Sequence, residues 1–280
     1  MKIPKRIAPL VEDGLVDDVV RQLRSGKEAS VFVVRCDGEI RCAKVYKEAH
    51  RRSFHKQAEY QEGRKVRSGR RARAMAKHTR YGRREQEAVW QSTEVNALRL
   101  LEAAGVRVPR VHQFIDGVLI MELLTDAHGS AAPRLGDVVL TREQARDCHR
   151  FLIDQIVRML CAGLIHGDLS EYNVLVDDNG PVIIDLPQAV DASGNNNACR
   201  LLVRDVDNIT AYLGGFAPEL LETDYAAEIW ALFQSGHLVP NTVLTGRFQH
   251  DEQPADVDDV LREIAAAREE AEAAEHRGQV

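Results

Sequence analysis

The chain has 280 residues, of which 44% are hydrophobic and 29% charged, and its formal net charge is −6. This length accommodates a two-lobed enzyme with a substantial core, and the ordinary composition excludes fibrous and wholly disordered proteins. The five cysteines form no Cys-x-x-Cys pair, so we expect reduced thiols. No stretch approaches the roughly 18 apolar residues of a membrane span or the apolar core of a signal peptide. We therefore expect a cytoplasmic protein with no membrane partner.

The first predicted elements lie in residues 1–47. Four apolar residues recur there at helical spacing: Val16, Val19, Val20 and Leu23. Residues 1–24 are therefore predicted to form a helical segment packed on an N-terminal lobe.

Two apolar runs follow, RSGKEASVFVV and EIRCAKVYK, separated by a turn at residues 36–38. This pattern indicates two antiparallel strands, which we expect to begin the sheet of an N-terminal lobe spanning residues 25–122.

The start of the first run partly matches a phosphate-binding loop. A kinase Gly-rich loop has the pattern G-x-G-x-x-G-x-V. Its four defined positions are occupied here by Arg24, Gly26, Ala29 and Val31. Lys44 follows on the next strand, where a kinase places the lysine that holds the phosphates, and Ser25 and Lys27 add a hydroxyl and a charge. We predict nucleotide contacts at Ser25, Gly26, Lys27, Val31 and Lys44. The alternatives are an exposed strand lysine at Lys44 and a solvated turn lysine at Lys27.

Charge is distributed very unevenly along the chain. Residues 50–84 contain thirteen Lys or Arg against two Glu, a local balance of +11, whereas residues 249–280 contain ten acidic against three basic residues. A concentrated basic segment favours contact with phosphate backbones, so we predict a flexible insertion that can bind nucleic acid. The alternative is a solvated loop without a partner. The acidic tail is predicted to be either helical or disordered.

A helix is predicted from Glu85 to a C-cap at Gly105, because residues 95, 98 and 101 place apolar side chains on one face. Glu94 lies inside this helix beside that face. We predict that it pairs with Lys44, in preference to the other glutamates at positions 85, 87 and 102, as a kinase helix glutamate does.

The next predicted elements connect the two lobes. Strands are expected at residues 109–111 and 117–124, and Met121 to Leu124 occupy the point where a kinase chain crosses between lobes. Met121, Glu122 and Leu123 are therefore predicted to contact the nucleotide, with backbone groups of Glu122 and Leu123 bonding to adenine. Beyond this crossing we expect a mainly helical C-terminal lobe, residues 123–248, that begins with a long helix over residues 142–160.

The stretch LIHGDLSEYNVLVDDNGPVIID, residues 164–185, carries the predicted chemistry. Two short apolar runs flank a turn-forming cluster, which indicates a β-hairpin. Asp168 and Asn173 precede the first strand and Asp185 follows the second, so the hairpin would bring them to one end. Kinases use this order for a catalytic base, a metal-binding Asn and a metal-binding Asp. The alternative is that these residues merely cap turns.

Taken together, these motifs resemble the RIO-type atypical serine/threonine protein kinases, closest to the first RIO branch. The matching segments are SGKEASVF, AKVYK, YQEG, the W-x-x-x-E of residues 90–94, HGDLSEYNVL and IIDLPQAV. The resemblance implies binding of ATP and of Mg²⁺, with Mn²⁺ as an alternative ion. It also implies autophosphorylation on serine and a reduced C-terminal lobe. Family members are tied to maturation of the small ribosomal subunit, and the aspartate corresponding to Asp185 is linked to an aspartyl-phosphate.

Two departures from the family pattern are present. Gly167 replaces a more usual Ala, giving the His-Gly-Asp also found in aminoglycoside phosphotransferases, and Leu186-Pro187 replaces a more polar pair. Downstream, Asp205 resembles the aspartate that braces a kinase catalytic loop, and we expect it to be structural.

The predicted fold is thus α+β and two-lobed, like a protein kinase. The predicted reaction is transfer of the ATP γ-phosphoryl group to a serine of a protein substrate or of the chain itself. Asp168, Lys44, Asn173 and Asp185 are the predicted catalytic residues, with Asn173 and Asp185 as metal ligands. One alternative is a nucleotide-gated ATPase or binding factor that acts on ribosomal RNA or small-subunit precursors. A second is a small-molecule phosphotransferase.

Overall fold

The computed structural model describes residues 3–47 and 93–248 and has the predicted α+β, two-lobed architecture. Its N-terminal lobe is a five-stranded antiparallel sheet with strand order β1-β2-β3-β5-β4. The strands are β1 Asp18–Ser25, β2 Ala29–Cys36, β3 Glu39–Tyr46, β4 Val111–Ile115 and β5 Val118–Glu122. Asp-Gly pairs join β2 to β3 and β4 to β5, and both residues of each pair have positive φ. These are the residues that tight hairpin turns require.

The predicted N-terminal helix over Val16 to Leu23 is wrong. The chain forms only a short helix, α1 Ala8–Glu12, and then enters the edge strand β1. Val19 is buried whereas its neighbour Val20 is exposed, which is the alternation of a strand and not the shared face of a helix. Two register shifts in the β1–β2 pairing break the strict period of two, so the spacing imitates that of a helix. Residues 18–24 therefore belong to the N-terminal sheet.

Helix α2, residues 93–103, packs on the sheet and carries Glu94. Val95, Leu98 and Leu101 are buried as predicted. Gly105 follows with a φ of +74°, so it can end the helix in the left-handed conformation that other residues avoid.

The C-terminal lobe is mainly helical, as predicted. Its helices are α3 Arg142–Cys161, α4 Ala198–Gly214 and α5 Tyr225–Gln234, and its short strands are β6 Leu164–Ile165, β7 Val174–Asp177, β8 Gly180–Ile183 and β9 Val190–Asp191. Thr141 and Gln144 form a capping box that fixes the start of α3. The predicted hairpin is present as β7 and β8. Helix α5 ends at Gln234, and the chain continues without a helix to residue 248.

The described residues 3–47 and 93–247 belong to one compact unit. The basic insertion predicted at residues 50–84 and the acidic tail predicted at residues 249–280 both lie outside the described residues. Within the described ranges, no helix is both long enough and apolar enough to cross a membrane.

Candidate active site

The β7–β8 hairpin brings Asp168, Asn173 and Asp185 to one end, as the sequence pattern predicts. Asn173 closes a 3-10 helix, Glu171–Asn173, and its carbonyl accepts a hydrogen bond of 2.9 Å from the backbone N–H of Ile184. This bond places Asn173 beside the end of the strand that leads into Asp185. The Asn173 side-chain Nδ2 donates to the carbonyl of Asp168 over 2.8 Å. The three residues are therefore joined through neighbouring backbone groups.

Lys44 reaches this end of the hairpin from strand β3. Its Nζ lies 2.6 Å from Oε1 of Glu94 and 2.7 Å from Oδ1 of Asp185. The predicted Lys44–Glu94 ion pair is thus confirmed, and Asp185 is a second partner of the lysine. Burial disfavours the charge on Lys44, but Asp185 and Glu94 outweigh it and raise the pKa of the ammonium group. Burial likewise opposes ionisation of Asp185, but Lys44 outweighs it and holds the pKa of that carboxyl below its usual value.

Tyr46 is the second hydrogen-bond partner of Glu94, and no motif in the sequence predicts this contact. The Tyr46 hydroxyl donates to Oε2 of Glu94 over 2.5 Å, while Lys44 occupies Oε1. Glu94 is only 1% exposed, so both of its oxygens need a partner. Tyr46 lies two residues beyond Lys44 on the same face of β3, and this spacing is the only trace of the contact in the sequence.

Asp205 braces the loop of residues 166–173, the predicted catalytic loop, from helix α4, which confirms its predicted structural position. Its two carboxylate oxygens accept hydrogen bonds from the backbone N–H groups of Gly167 (2.7 Å) and Leu169 (2.9 Å). Burial raises the pKa of Asp205 to about 6, although these bonds and His166 oppose the shift. Asn208, one turn further along α4, donates to the carbonyl of Leu169 over 2.9 Å. The loop is therefore held by α4 on both sides of Asp168.

The unusual Gly167 has a conformational explanation. Its φ is +79°, a value that glycine adopts without strain and alanine does not. The His-Gly-Asp sequence is therefore accounted for by the shape of the loop and does not by itself favour a small-molecule phosphotransferase.

His166 ties the loop to the hairpin. Its Nδ1 accepts from the backbone N–H of Asp168 (3.3 Å), which assigns the proton to Nε2, and Nε2 then donates to the carbonyl of Ile184 (3.0 Å). The ring thus connects the backbone N–H of Asp168, the predicted base, to the carbonyl of the residue before Asp185.

Gln188 is a further residue at the site that sequence reasoning missed. Its Nε2 donates to Oδ2 of Asp168 over 3.2 Å. The residue lies within the matching segment IIDLPQAV, but its spacing from Asp168 carries no recognisable signal. It restrains the side chain that is predicted to be the catalytic base.

The residues predicted to contact the nucleotide lie on the first hairpin of the sheet and on the next strand: Ser25 ends β1, Gly26 and Lys27 form the turn, and Val31 and Lys44 lie on β2 and β3. Val31 lies directly opposite Lys44 in the β2–β3 register, so these two residues are neighbours. Lys27 is exposed at the turn. Lys47, which was not predicted, donates to the hydroxyl of Ser25 and to the carbonyl of Gly26. The turn therefore carries cationic groups on both sides of Gly26.

At the crossing between lobes, Met121 and Glu122 end β5 and Leu123 follows. The N–H of Glu122 donates to the carbonyl of Arg110 over 2.9 Å, so this group is already bonded and is not among those open to adenine. Beneath the crossing lies an apolar cluster of Leu124, Ala132, Leu175, Val182 and Ile184. Such a surface suits the face of a purine base.

Two oxygens at the end of the hairpin fit a divalent cation. Among the described residues, neither Oδ1 of Asn173 nor Oδ2 of Asp185 has a hydrogen-bond or ion-pair partner, and the Asp185 side chain is 43% exposed. Carboxylate and amide oxygens are ligands that Mg²⁺ accepts, with phosphate oxygens and water supplying the rest. No group of three or more His, Cys, Asp or Glu suited to a metal occurs in the described ranges, so a cation here would depend on such outside ligands.

Comparison with known proteins agrees with this geometry. The RIO domain family matches residues 30–226. The RIO-type serine/threonine-protein kinase Rio1 of Haloferax volcanii is 31% identical over 207 residues, covering 74% of this chain and 67% of that protein. Rio1 serine/threonine-protein kinases of Schizosaccharomyces pombe and Homo sapiens are each 28% identical, and the matches cover 72% and 71% of this chain but 39% and 34% of those proteins. The chain thus spans well under half the length of these eukaryotic relatives. The chain belongs to the RIO domain family, whose matched relatives are named serine/threonine-protein kinases.

Proposed function

We propose that this protein is an atypical serine/threonine protein kinase that transfers the γ-phosphoryl group of ATP to a serine hydroxyl, including one of its own. The proposal is supported above all by one observation: Lys44 lies between Glu94 and Asp185 at the same end of the hairpin as Asp168 and Asn173. A structural salt bridge needs only one acid, whereas a kinase needs this lysine, this metal-binding aspartate and this base together.

Each residue has a defined task in the proposed reaction. Asp168, restrained by Gln188, accepts the proton of the attacking hydroxyl. Lys44, held by Glu94, directs its ammonium toward the phosphates. Asn173 and Asp185 would hold Mg²⁺, which when bound neutralises charge on the phosphate oxygens. Because the loop is tied to α4 by Asp205, the base and the metal ligands are positioned before any substrate arrives.

The proposal is tested by incubating the purified chain with γ-labelled ATP and Mg²⁺ and following both protein-bound and free phosphate. Acid-stable label on serine is expected for the wild-type protein. Asp168→Asn should lower the rate by about 10²–10⁴-fold, the usual contribution of a general base. Asp116→Asn is the matched control, because it makes the same chemical change at an exposed hairpin turn. Equal rates for both variants would refute the assigned base.

A second candidate is an ATPase or binding factor that acts on ribosomal RNA or small-subunit precursors. It is supported by the charge of +11 over residues 50–84. Contact through these residues predicts RNA binding that weakens steeply as salt rises. Free phosphate that RNA stimulates, without serine label, would favour this candidate over the kinase. RNA association that does not depend on salt would argue against it.

A further inference from the structure

Arg134 lies on a segment that packs directly against the hairpin and the catalytic loop. The N–H of Val176 donates to the carbonyl of Pro133 over 2.9 Å, and Arg134 forms a β-bridge with Leu175. Residues 133 and 134 thus extend the β7–β8 hairpin by one short pairing. Paired residues in an antiparallel bridge point to the same side, so Arg134 lies on the side of Leu175, a member of the apolar cluster beneath the crossing.

The next residues hold this segment in place. A 3-10 helix, Leu135–Asp137, follows Arg134, and the Tyr212 hydroxyl donates to the Leu135 carbonyl over 2.9 Å. Gly136 approaches the catalytic loop so closely that an added Cβ would lie 3.1 Å from Cγ of Glu171 and 3.5 Å from the ring of Tyr172. Arg134 is therefore fixed beside the loop that carries Asp168.

The charge of Arg134 is not matched by a direct contact. Its side chain is partly buried, yet within the part of the chain that the structure describes the guanidinium forms no hydrogen bond and no ion pair. Other arginines at the hairpin and loop are bonded: Arg107 to Asp177 over 2.6 Å, and Arg204 to the carbonyl of Gly167. A partly buried guanidinium that has no partner among the described residues is open to an anion from outside the chain.

The position of this segment beside residues 171–175 indicates where that anion would bind, and the charges around Arg134 agree with it. Burial and the like charge of Arg24 lower the pKa of Arg134, while Asp185, Asp137 and Tyr172 oppose the shift. Arg24 is the penultimate residue of β1, directly before the predicted phosphate loop, and Asp185 is a predicted metal ligand. Arg134 therefore interacts with residues on both sides of the place where the phosphates are expected. Phosphate oxygens are strong acceptors for the planar fork of arginine.

We propose that Arg134 contacts the terminal phosphoryl group of the nucleotide during its transfer. The inference rests on the kinase function proposed above and adds a residue to it. In that step the bond from the γ-phosphorus to the β–γ bridging oxygen breaks, and ADP leaves with the electron pair. A bond to the serine oxygen forms, and the hydroxyl proton passes to Asp168. Arg134 lies on the side of the hairpin and Lys44 on the side of the sheet, so the two cations stabilise the group from different sides.

The test compares Arg134→Gln, Arg134→Lys and Arg146→Gln. Arg146 is an exposed arginine on α3 and serves as the control for the loss of one charge. For Arg134→Gln we expect kcat to fall about 100-fold, in the range found when one transition-state donor is removed. The Kd of Mg-ADP, measured calorimetrically, should stay within about 2-fold, because ADP lacks the terminal group. Arg134→Lys should retain part of the rate, and Arg146→Gln should match the wild type.

The outcomes separate this inference from the proposed function. If the wild-type chain transfers no phosphoryl group, the kinase proposal fails and this inference fails with it. If the wild type is active and Arg134→Gln keeps its kcat, the inference alone is overturned. Loss of ADP affinity together with a lowered melting temperature would show a structural role and also overturn it. If Arg134→Gln does not fold, the Arg134→Lys variant provides the test, because it keeps the charge but lacks the bidentate guanidinium. A wild-type kcat for Arg134→Lys would then contradict the inference.

Discussion

Replacing Tyr46 with Phe removes one hydroxyl and leaves the ring in place. The ring packs edge-on against Phe114, with centroids 6.3 Å apart, and lies 5.6 Å from the Lys44 ammonium. Both contacts persist in the variant. What is lost is the 2.5 Å hydrogen bond to Oε2 of Glu94, a carboxylate that is 1% exposed and has Lys44 on its other oxygen.

The expected cost follows from this geometry. A hydrogen bond to a charged group contributes about 1.5–3 kcal/mol, and here an unpaired carboxylate oxygen would remain buried. For a domain of this size that loss lowers the melting temperature by about 3–12 °C. Lys44 keeps both of its acidic partners, so we expect phosphoryl transfer to fall by less than about 10-fold once the loss of folded protein is corrected for.

The assay is thermal and urea unfolding of Tyr46→Phe beside Tyr172→Phe. Tyr172 is 57% exposed and controls for the loss of a tyrosine hydroxyl at the surface. A stability for Tyr46→Phe within about 0.5 kcal/mol of the control would refute the reasoning, since surface changes have effects of that size. So would strict additivity of Tyr46→Phe with Glu94→Gln, because residues in direct contact should show a coupling energy.

Two further predictions concern the C-terminal lobe. Burial lowers the pKa of His149 from 6.5 to about 4 in the folded chain. Between these two pH values mainly the unfolded chain takes up the proton, so the free energy of unfolding should fall by about 2 kcal/mol between pH 7 and pH 5. His149→Gln, which can keep the bond to Thr210, should flatten this pH profile in urea unfolding, and an unchanged profile would contradict the assignment. Gln188→Leu should lower kcat about 10-fold with little change in KM for ATP, because Asp168 loses a restraint. If Gln188→Leu lowers the residual rate of the Asp168→Asn variant by the same factor as it lowers the wild-type rate, Gln188 does not act through Asp168.

The parts of the site that the sequence predicts are those set by short-range order. Asp168, Asn173 and Asp185 are brought together by one hairpin, whose two apolar runs and turn are all local features. The Lys44–Glu94 pair is long-range, yet it was predictable because one residue lies on a recognisable strand and the other inside a recognisable helix. Resemblance to kinases supplied the link between these two elements.

The parts that could not be predicted depend on tertiary contact or on irregular backbone. Gln188 and Tyr46 meet their partners only after the loop and the sheet are assembled, and neither residue type is diagnostic of its task. Arg134 is inconspicuous in sequence because its unmatched charge becomes apparent only when its neighbours are known. The edge strand β1 was mistaken for a helix because its register shifts bring valines to helix-like spacing.

Asp185 shows how backbone and electrostatics act together at this site. Three residues other than glycine have positive φ in the described ranges, namely Asp37, Asp116 and Asp185. The first two precede glycine in tight hairpin turns, where that conformation is required. Asp185, at φ +67°, precedes Leu186 and lies in no such turn, so turn chemistry does not account for it. Such a conformation costs about 1–3 kcal/mol and persists only where its surroundings hold it.

Those surroundings can be identified on both sides of Asp185. The hydrogen bond from Ile184 to Asn173 fixes the preceding residue, and the fully buried Leu186 anchors the following one. Between these anchors the side chain of Asp185 reaches Lys44 through one oxygen, and its other oxygen has no partner within the described residues. The strained backbone is therefore offset by an ion pair that also directs a carboxylate oxygen toward the place where a cation would bind. A residue selected only for stability would not need the strained backbone, so we propose that this position is functional.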